Sequence, residues 1–155
     1  MIPMAKGFVY LTCVMDIYSR NILSSVISNI LDARFCVDTY IETVRLYGAP
    51  EIINNDQGSQ FTSDAFVAAV AASGARLSMY GKGAWTDNIF SERFWRSLKY
   101  EDVYLRAYDT VADATRWIYR CVYRYNTIRP HSSSGGKTPD NILAIAPAEV
   151  LLKSS

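Results

Sequence analysis

Histidine is almost missing from this chain, and its scarcity excludes a good deal of chemistry. His131 is the single histidine among 155 residues. Most histidine-based catalysis is thereby removed, Ser-His-Asp triads included, and no Cys/His cluster offers a zinc site. Cysteine is sparse as well. Cys13, Cys36 and Cys121 are widely spaced, odd in number, and each falls in an apolar-periodic segment. Free buried thiols in a reducing cytosol are expected, not a disulfide framework. No apolar run reaches the ~18 residues that a membrane span needs. The opening MIPMAKGF has neither the charged nor the apolar region of a signal peptide. Internal repeats and long linkers are absent too.

What is present is a foldable chain of one-domain length. Half its residues are apolar and 13% are aromatic, enough to build a core. The formal net charge of +1 says little, but its distribution is uneven. Residues 93–137 carry nine Lys/Arg (93, 96, 99, 106, 116, 120, 124, 129, 137) and four acids (101, 102, 109, 113). A basic C-terminal half suits a polyanion; a solvated helical surface explains it equally well.

Periodicity predicts an α/β domain. FVYLTCVM (8–15) is a continuous apolar and β-branched run, expected as a central strand. A turn at 18–21 leads to a second, antiparallel strand at 22–27. Asp32 is placed to cap a helix running to Tyr47, with Cys36, Val37, Tyr40, Ile41 and Val44 as its apolar positions and Gly48 and Pro50 as its stop. A short strand at 51–54, a helix capped by Ser63 and a strand at 76–79 follow. GKGAWTDN (81–88) is expected as a loop and 89–100 as a helix. Thr110 and Asp113 resemble a capping box for a last helix to about Asn126. Residues 129–139, rich in Pro, Gly and Ser, are expected as loop. Two antiparallel strands followed by alternating helices and strands give a mixed sheet flanked by helices. The domain is expected to occupy residues 1–145, with 146–155 as a tail.

The candidate site is acidic. NNDQGSQFT (54–62) places Asp56 at the end of a strand, where ligands bind in α/β sheets. Glu92 follows with 35 residues between. That spacing is weak evidence alone, since Asp113 and Glu149 repeat it; Asp113 is a helix cap and Glu149 lies in the tail. At ~100° per residue, Glu92, Arg96 and Lys99 share a stripe, with Phe90, Phe94 and Leu98 opposite. Such a helix can present a metal ligand followed by cations for phosphates. It can also be a helix with one surface Glu–Arg pair. Two divalent ions ~3.5–4 Å apart would activate a water or hydroxyl and stabilise the leaving oxygen of a phosphodiester. Oxygen ligands suit Mg²⁺, but two metals normally need three or more carboxylates.

Four stretches make the chain recognisable: GFVYLTCVMDIYSR (7–20), YGAPEIINNDQGSQFTS (47–63), SMYGKGAWTDNIFSERFWRSLKYEDVYLRAY (78–108) and YNTIRPHSSSGGKTPDNIL (125–143). They resemble the catalytic core of DDE transposases of the bacterial insertion-sequence-three group and, more distantly, retroviral integrases. The resemblance implies an RNase H-like fold, Mg²⁺- or Mn²⁺-dependent cleavage and joining of DNA strands, and a cytoplasmic, nucleoid-associated bacterial protein. Its second and third acidic residues map onto Asp56 and Glu92. Its first lies on the first strand, in a pattern like Asp-Ile-Thr-Tyr-Ile-Pro. Only Ile2-Pro3 matches the end of that pattern, so the first strand is expected to be largely missing and the first Asp to fall about three positions before Met1. If residues 4–7 make a hairpin turn, paired positions sum to about 11 and the missing Asp would face Cys13. Asp16 lies three residues beyond Cys13, ~10 Å at strand rise, and is expected to fix the 18–21 turn instead. Asp87 is expected to cap its helix. The shortened strand is also expected to lower stability or promote edge-to-edge association.

Further residues keep two readings each. Lys82 and Trp85 sit in the glycine-flanked stretch, where Trp85 stacks on a base or packs on the surface. Arg116, Arg120 and Arg124 track phosphates or form a solvated face. His131, within the Arg129-Pro130-His131-Ser132 signature, contacts DNA or anchors its loop. Three functions compete. One is a transposase core impaired by its missing ligand, acting on transposon ends and target DNA. Another is a non-catalytic DNA-binding remnant that pairs with itself or with full-length transposase. The third is an unrelated RNase H-like nuclease, which activity on RNA–DNA hybrids would reveal.

Overall fold

The computed structural model describes residues 1–55, 61–78 and 84–145, and the side chains of these except at 84–88 and 133. The chain opens with a hairpin. β1 (Ile2–Pro3) pairs antiparallel with β2 (Phe8–Met15), matching Ile2 to Val9 and Pro3 to Phe8. Those pairs have the register expected from the sequence. The turn needs Gly7 at φ +82°, a left-handed conformation that glycine adopts without strain. β3 (Ile22–Ser28) pairs antiparallel with β2 on its other edge, from Tyr10 opposite Ser28 to Met15 opposite Ile22. A parallel pair adds to these antiparallel ones. β4 (Ile52–Asn54) runs beside β5 (Arg76–Ser78) in a separate two-stranded sheet.

Helices cover these strands. α1 (Ala33–Tyr47) starts at Asp32, whose carboxylate accepts from the Phe35 N–H at 2.9 Å, and ends at Gly48. α2 (Asp64–Ala72) starts at Ser63 and buries Phe66 and Val70. α3 spans Ala84–Leu98 and continues as a π-helical turn, Lys99–Val103. α4 (Val111–Thr127) begins at Thr110, whose hydroxyl accepts from the Asp113 N–H at 3.1 Å and donates to the Asp113 carboxylate at 3.0 Å. α5 (Pro139–Ile145) closes the described chain.

Two apolar clusters hold the layers together. Val9 and Leu11 of β2 pack with Ile2, Phe94, Leu98, Ile118 and Val122, joining the hairpin to α3 and α4. Cys36, Tyr40, Ile53, Phe66 and Val70 join α1 and α2 to β4. The alternation of β2 thus feeds both layers: Thr12, facing away from Leu11, meets Cys36 at 3.6 Å.

Four expectations change. The stretch expected as loop at 81–88 is helical from Ala84, because no proline or glycine lies between Ala84 and Leu98. Asp87 therefore lies inside the first turn of α3 rather than capping it. Residues 129–139 are not all loop: Pro139 takes the first position of α5, where its fixed φ suits a helix start, and the Thr138 hydroxyl accepts from the Asn141 N–H at 3.3 Å. On α1, Ile41 is 52% exposed while Thr39 and Thr43 are buried. Their hydroxyls donate to the carbonyls of Phe35 and Thr39, both at 2.8 Å, so burial leaves no donor unpaired. Finally, α3 yields to a wider turn at Lys99 rather than ending at Tyr100, which buries Asp102 and Val103 together.

Candidate metal and nucleic-acid site

Glu92 is exposed on the third turn of α3 and borders a cleft of about 710 Å³. Trp95 and Lys99 lie on the same wall, one and two turns further along. β2 lines the cleft from Tyr10 to Met15, and Ile53, Asn54 and Asn55 at the C-terminal end of β4 line it as well. The cleft therefore joins the helix carrying Glu92 to the strand that leads directly into Asp56. Asp56 itself, like Lys82, lies outside the described residues. Trp85 sits in the first turn of α3, and its side chain also lies outside them. The Asn55 side-chain amide donates to the Phe61 carbonyl at 3.0 Å, tying together the two ends of the 56–60 stretch.

The expected stripe on α3 is partly assembled. Phe94 and Leu98 are buried, and Phe90 lies under the Arg20 guanidinium at 4.1 Å. Glu92 and Lys99 share the cleft. Arg96 does not line it; its guanidinium lies 5.8 Å from the Tyr100 ring centroid.

Asp16 is committed elsewhere, as expected. It is fully buried, and one carboxylate oxygen accepts from the Ser19 N–H at 2.8 Å and the Ser19 hydroxyl at 2.5 Å. Its main chain closes the turn through Asn21, while Arg20 takes φ +63°. Asp16 is not among the cleft-lining residues. The described residues contain no group of three His, Cys, Asp or Glu side chains that could hold a metal. Glu92 is a solvent-facing carboxylate, a hard oxygen donor of the kind that suits Mg²⁺ or Mn²⁺.

α3 separates this cleft from a second pocket of about 410 Å³, to which Phe94, Ser97 and Glu101 turn. Arg120 and Arg124 line this second pocket and do not line the Glu92 cleft. Arg116 pairs with Asp113 at 3.1 Å on the exposed surface. His131 has the geometry of a loop anchor. Its N–H donates to the Lys137 carbonyl, and its own carbonyl accepts from Ser134 and Gly136. The ring meets Tyr125 edge-on at 4.9 Å. Burial first, and then Arg129, hold the imidazole pKa below its ordinary value, and Nε2 is buried with no hydrogen-bond partner among the described residues.

Sequence reasoning missed a polar knot beneath the second pocket. Asp102 is only 7% exposed and accepts from the Tyr108 hydroxyl at 2.6 Å and from Arg106 at 2.7 Å. Arg106 also stacks on Trp117 at 3.6 Å. Burial, followed by the bond to Asp102, drives the Tyr108 pKa upward. The only signal in the sequence was the i,i+4 spacing of Asp102 and Arg106. The cysteines are free, as expected; burial raises the thiol pKa of each, that of Cys121 to about 11.

Comparison with known proteins follows the same lines. Residues 1–84 and 73–139 each match a family described as Integrase core domain. The transposase for insertion sequence element IS904 of Lactococcus lactis is 33% identical over 141 residues, covering 89% of this chain and 56% of that protein. Transposase InsF for insertion sequence IS3A of Escherichia coli is 30% identical over 140 residues, covering 87% and 48%. The chain thus spans about half the length of the curated relatives it matches. Among solved structures, the HTLV-2 integrase catalytic core in complex with magnesium, in trimeric form, superposes with a TM-score of 0.61 at 20% identity, covering 90% of this chain and 88% of that one. A simian T-cell lymphotropic virus intasome in complex with PP2A regulatory subunit B56 gamma gives 0.71 at 15% identity, covering 93% and 51%. The retroviral integrase cores establish the RNase H-like fold.

Proposed function

We propose, from the premise that this chain belongs to the integrase core domain family, that it is the catalytic-core portion of a DDE transposase acting in DNA transposition. One observation carries the reading: Glu92 and the C-terminal end of β4 border the same cleft, and Asp56 follows that end directly. Asp56 and Glu92 are the residues to hold Mg²⁺ or Mn²⁺. When bound there, the metal would lower the pKa of an attacking water or hydroxyl and offset charge on the phosphodiester. Lys99, on the same wall as Glu92, offers a cation to the DNA phosphates, and exposed Arg96 extends that charge along α3. Trp95 lines the cleft as well. Asp16, buried in its turn, does not complete the ligand set.

The magnesium bound to the HTLV-2 core supports this choice of metal. The dimeric and trimeric forms of that core support self-association, or pairing with full-length transposase, as the partner state. Transposon ends and target are the DNA partners, and the bacterial source of the relatives supports a bacterial protein that works at the nucleoid. Among the described residues no helix is long and apolar enough to cross a membrane.

The test is metal-dependent nicking of duplex DNA by the chain and by Asp56→Asn and Glu92→Gln variants. Nicking that needs Mg²⁺ or Mn²⁺ and disappears in both variants supports the reading. Nicking that survives both overturns the ligand assignment. Binding without nicking leaves the regulatory, non-catalytic reading.

A further inference from the structure

α4 turns one face to solvent, and that face has an unusual composition. Arg116, Tyr119, Arg120, Tyr123 and Arg124 fall at i, i+3, i+4, i+7 and i+8, so they form one ridge. All five are exposed, Tyr119 by 42% and Tyr123 by 63%. The helix buries Ala114, Ile118, Val122 and Tyr125 instead. The packing of α4 is therefore complete without the ridge, and arginine and tyrosine alternate along it with no aliphatic residue between them. Arg120 and Arg124 have no ion-pair partner among the described residues, and the exposed Arg116–Asp113 pair at 3.1 Å holds Arg116 only weakly. Below the ridge opens the pocket of about 410 Å³, with Trp117, Arg120 and Arg124 in its lining.

We propose that this ridge is a track for single-stranded DNA, distinct from the Glu92 cleft, with phosphates on the arginines and bases on Tyr119 and Tyr123. The inference rests on the DNA reading given above and adds the form of the nucleic acid. Arginines alone would suit a duplex, whose outer surface offers phosphates. Exposed tyrosines between them need base faces, which a duplex keeps stacked inside. Spacing favours the single strand too. Four helical residues rise ~6 Å, well beyond the ~3.4 Å rise per nucleotide along one strand of a duplex. Tyr119 and Tyr123 thus match consecutive bases only where these are pulled apart. α3 stands between the ridge and Glu92, so one DNA substrate could contact both sites without competing for one surface.

The experiment uses fluorescence anisotropy of the whole chain with a labelled oligothymidylate of ~12 nucleotides, within the range of known single-strand sites, and with a duplex of the same length. The single strand is expected to bind more tightly than the duplex. Tyr119→Ala and Tyr123→Ala should each weaken it about ten-fold, while Tyr→Phe at either position retains affinity and duplex binding is unchanged. Arg120→Ala and Arg124→Ala should each flatten the salt dependence by about 0.7 in log–log slope. All four residues are exposed, and circular dichroism checks that the variants fold. Duplex bound as tightly as single strand, or no loss in either tyrosine variant, overturns the track and leaves the DNA reading standing. No binding of either form overturns both.

Discussion

Asp102 shows how one buried carboxylate can organise its surroundings. Tyr108 and Arg106 both donate to it, and Arg106 in turn covers Trp117. Asp102→Asn keeps the shape but removes the charge that both donors meet. It is expected to cost about 1.5–3 kcal/mol, read as a lower urea midpoint at unchanged slope; a loss below about 0.5 kcal/mol would show that the knot is not a stabilising unit. His131 makes a second prediction, in pH. Its folded pKa is lowered, so the folded state binds fewer protons than the unfolded one just below the ordinary histidine pKa of about 6.5. The stability it contributes is full above that value and falls away as pH drops towards its lowered folded pKa. Denaturant melts between pH 7 and 5.5 should show this slope, and His131→Gln should flatten it; equal slopes in both proteins would contradict the assignment. Neither residue was fully legible in the sequence. Asp102 was one of four acids between residues 93 and 137 and lay beyond the helix expected at 89–100, since its burial depends on the π-helical turn. His131 stood with two readings because its burial is set by Tyr125 and by the loop from 131 to 137, which are tertiary facts. Asp16 was readable, because Asp-x-x-Ser with a following arginine and asparagine is local turn chemistry.

At the scale of elements, local signals succeeded wherever a cap was the cause. Asp32, Ser63 and Thr110 each start a helix as expected, with the side-chain bond in place. Thr110→Ala should cost about 1 kcal/mol and, because α4 carries the arginine–tyrosine ridge, should speed amide exchange in its first turn; unchanged stability would mean that packing alone fixes the helix start. The start of α3 and the existence of α5 were missed for the same physical reason. A glycine-rich or proline-containing stretch looks like a loop when composition is averaged, yet only the residues at the boundary decide. Gly83 ends the breaker sequence before Ala84, and Pro139 is a helix starter when Thr138 precedes it. On α1, Ile41 was assigned to the core on hydrophobicity. It lies outside the stripe that Cys36, Tyr40 and Thr43 form, and buried threonines take its place by bonding to the preceding turn.

Across the whole molecule, the site arises from the meeting of two sheets and α3. β2 has β1 beside residues 8 and 9 and β3 beside residues 10 to 15. Among the described strands none pairs with the other edge of residues 10 to 15, which border the cleft. That edge can accept a strand from a second molecule. Sedimentation is expected to show concentration-dependent association that Val14→Lys weakens; a monomer at all concentrations would count against it. The sequence disclosed the fold and the register of the first hairpin, because motif and periodicity carry those. It did not disclose that the α4 arginines face away from Glu92, which only the packing of α3 between them decides. The central claim is that Asp56 and Glu92 hold a divalent ion in the cleft. The most direct measurement is titration of the ¹⁵N-labelled chain with Mn²⁺, observing paramagnetic broadening of amide signals. The account predicts that the signals of Asn54, Asn55 and Glu92 broaden first, that those of α4 and His131 persist, and that Glu92→Gln suppresses the effect. Broadening centred elsewhere, or unchanged in Glu92→Gln, would contradict it.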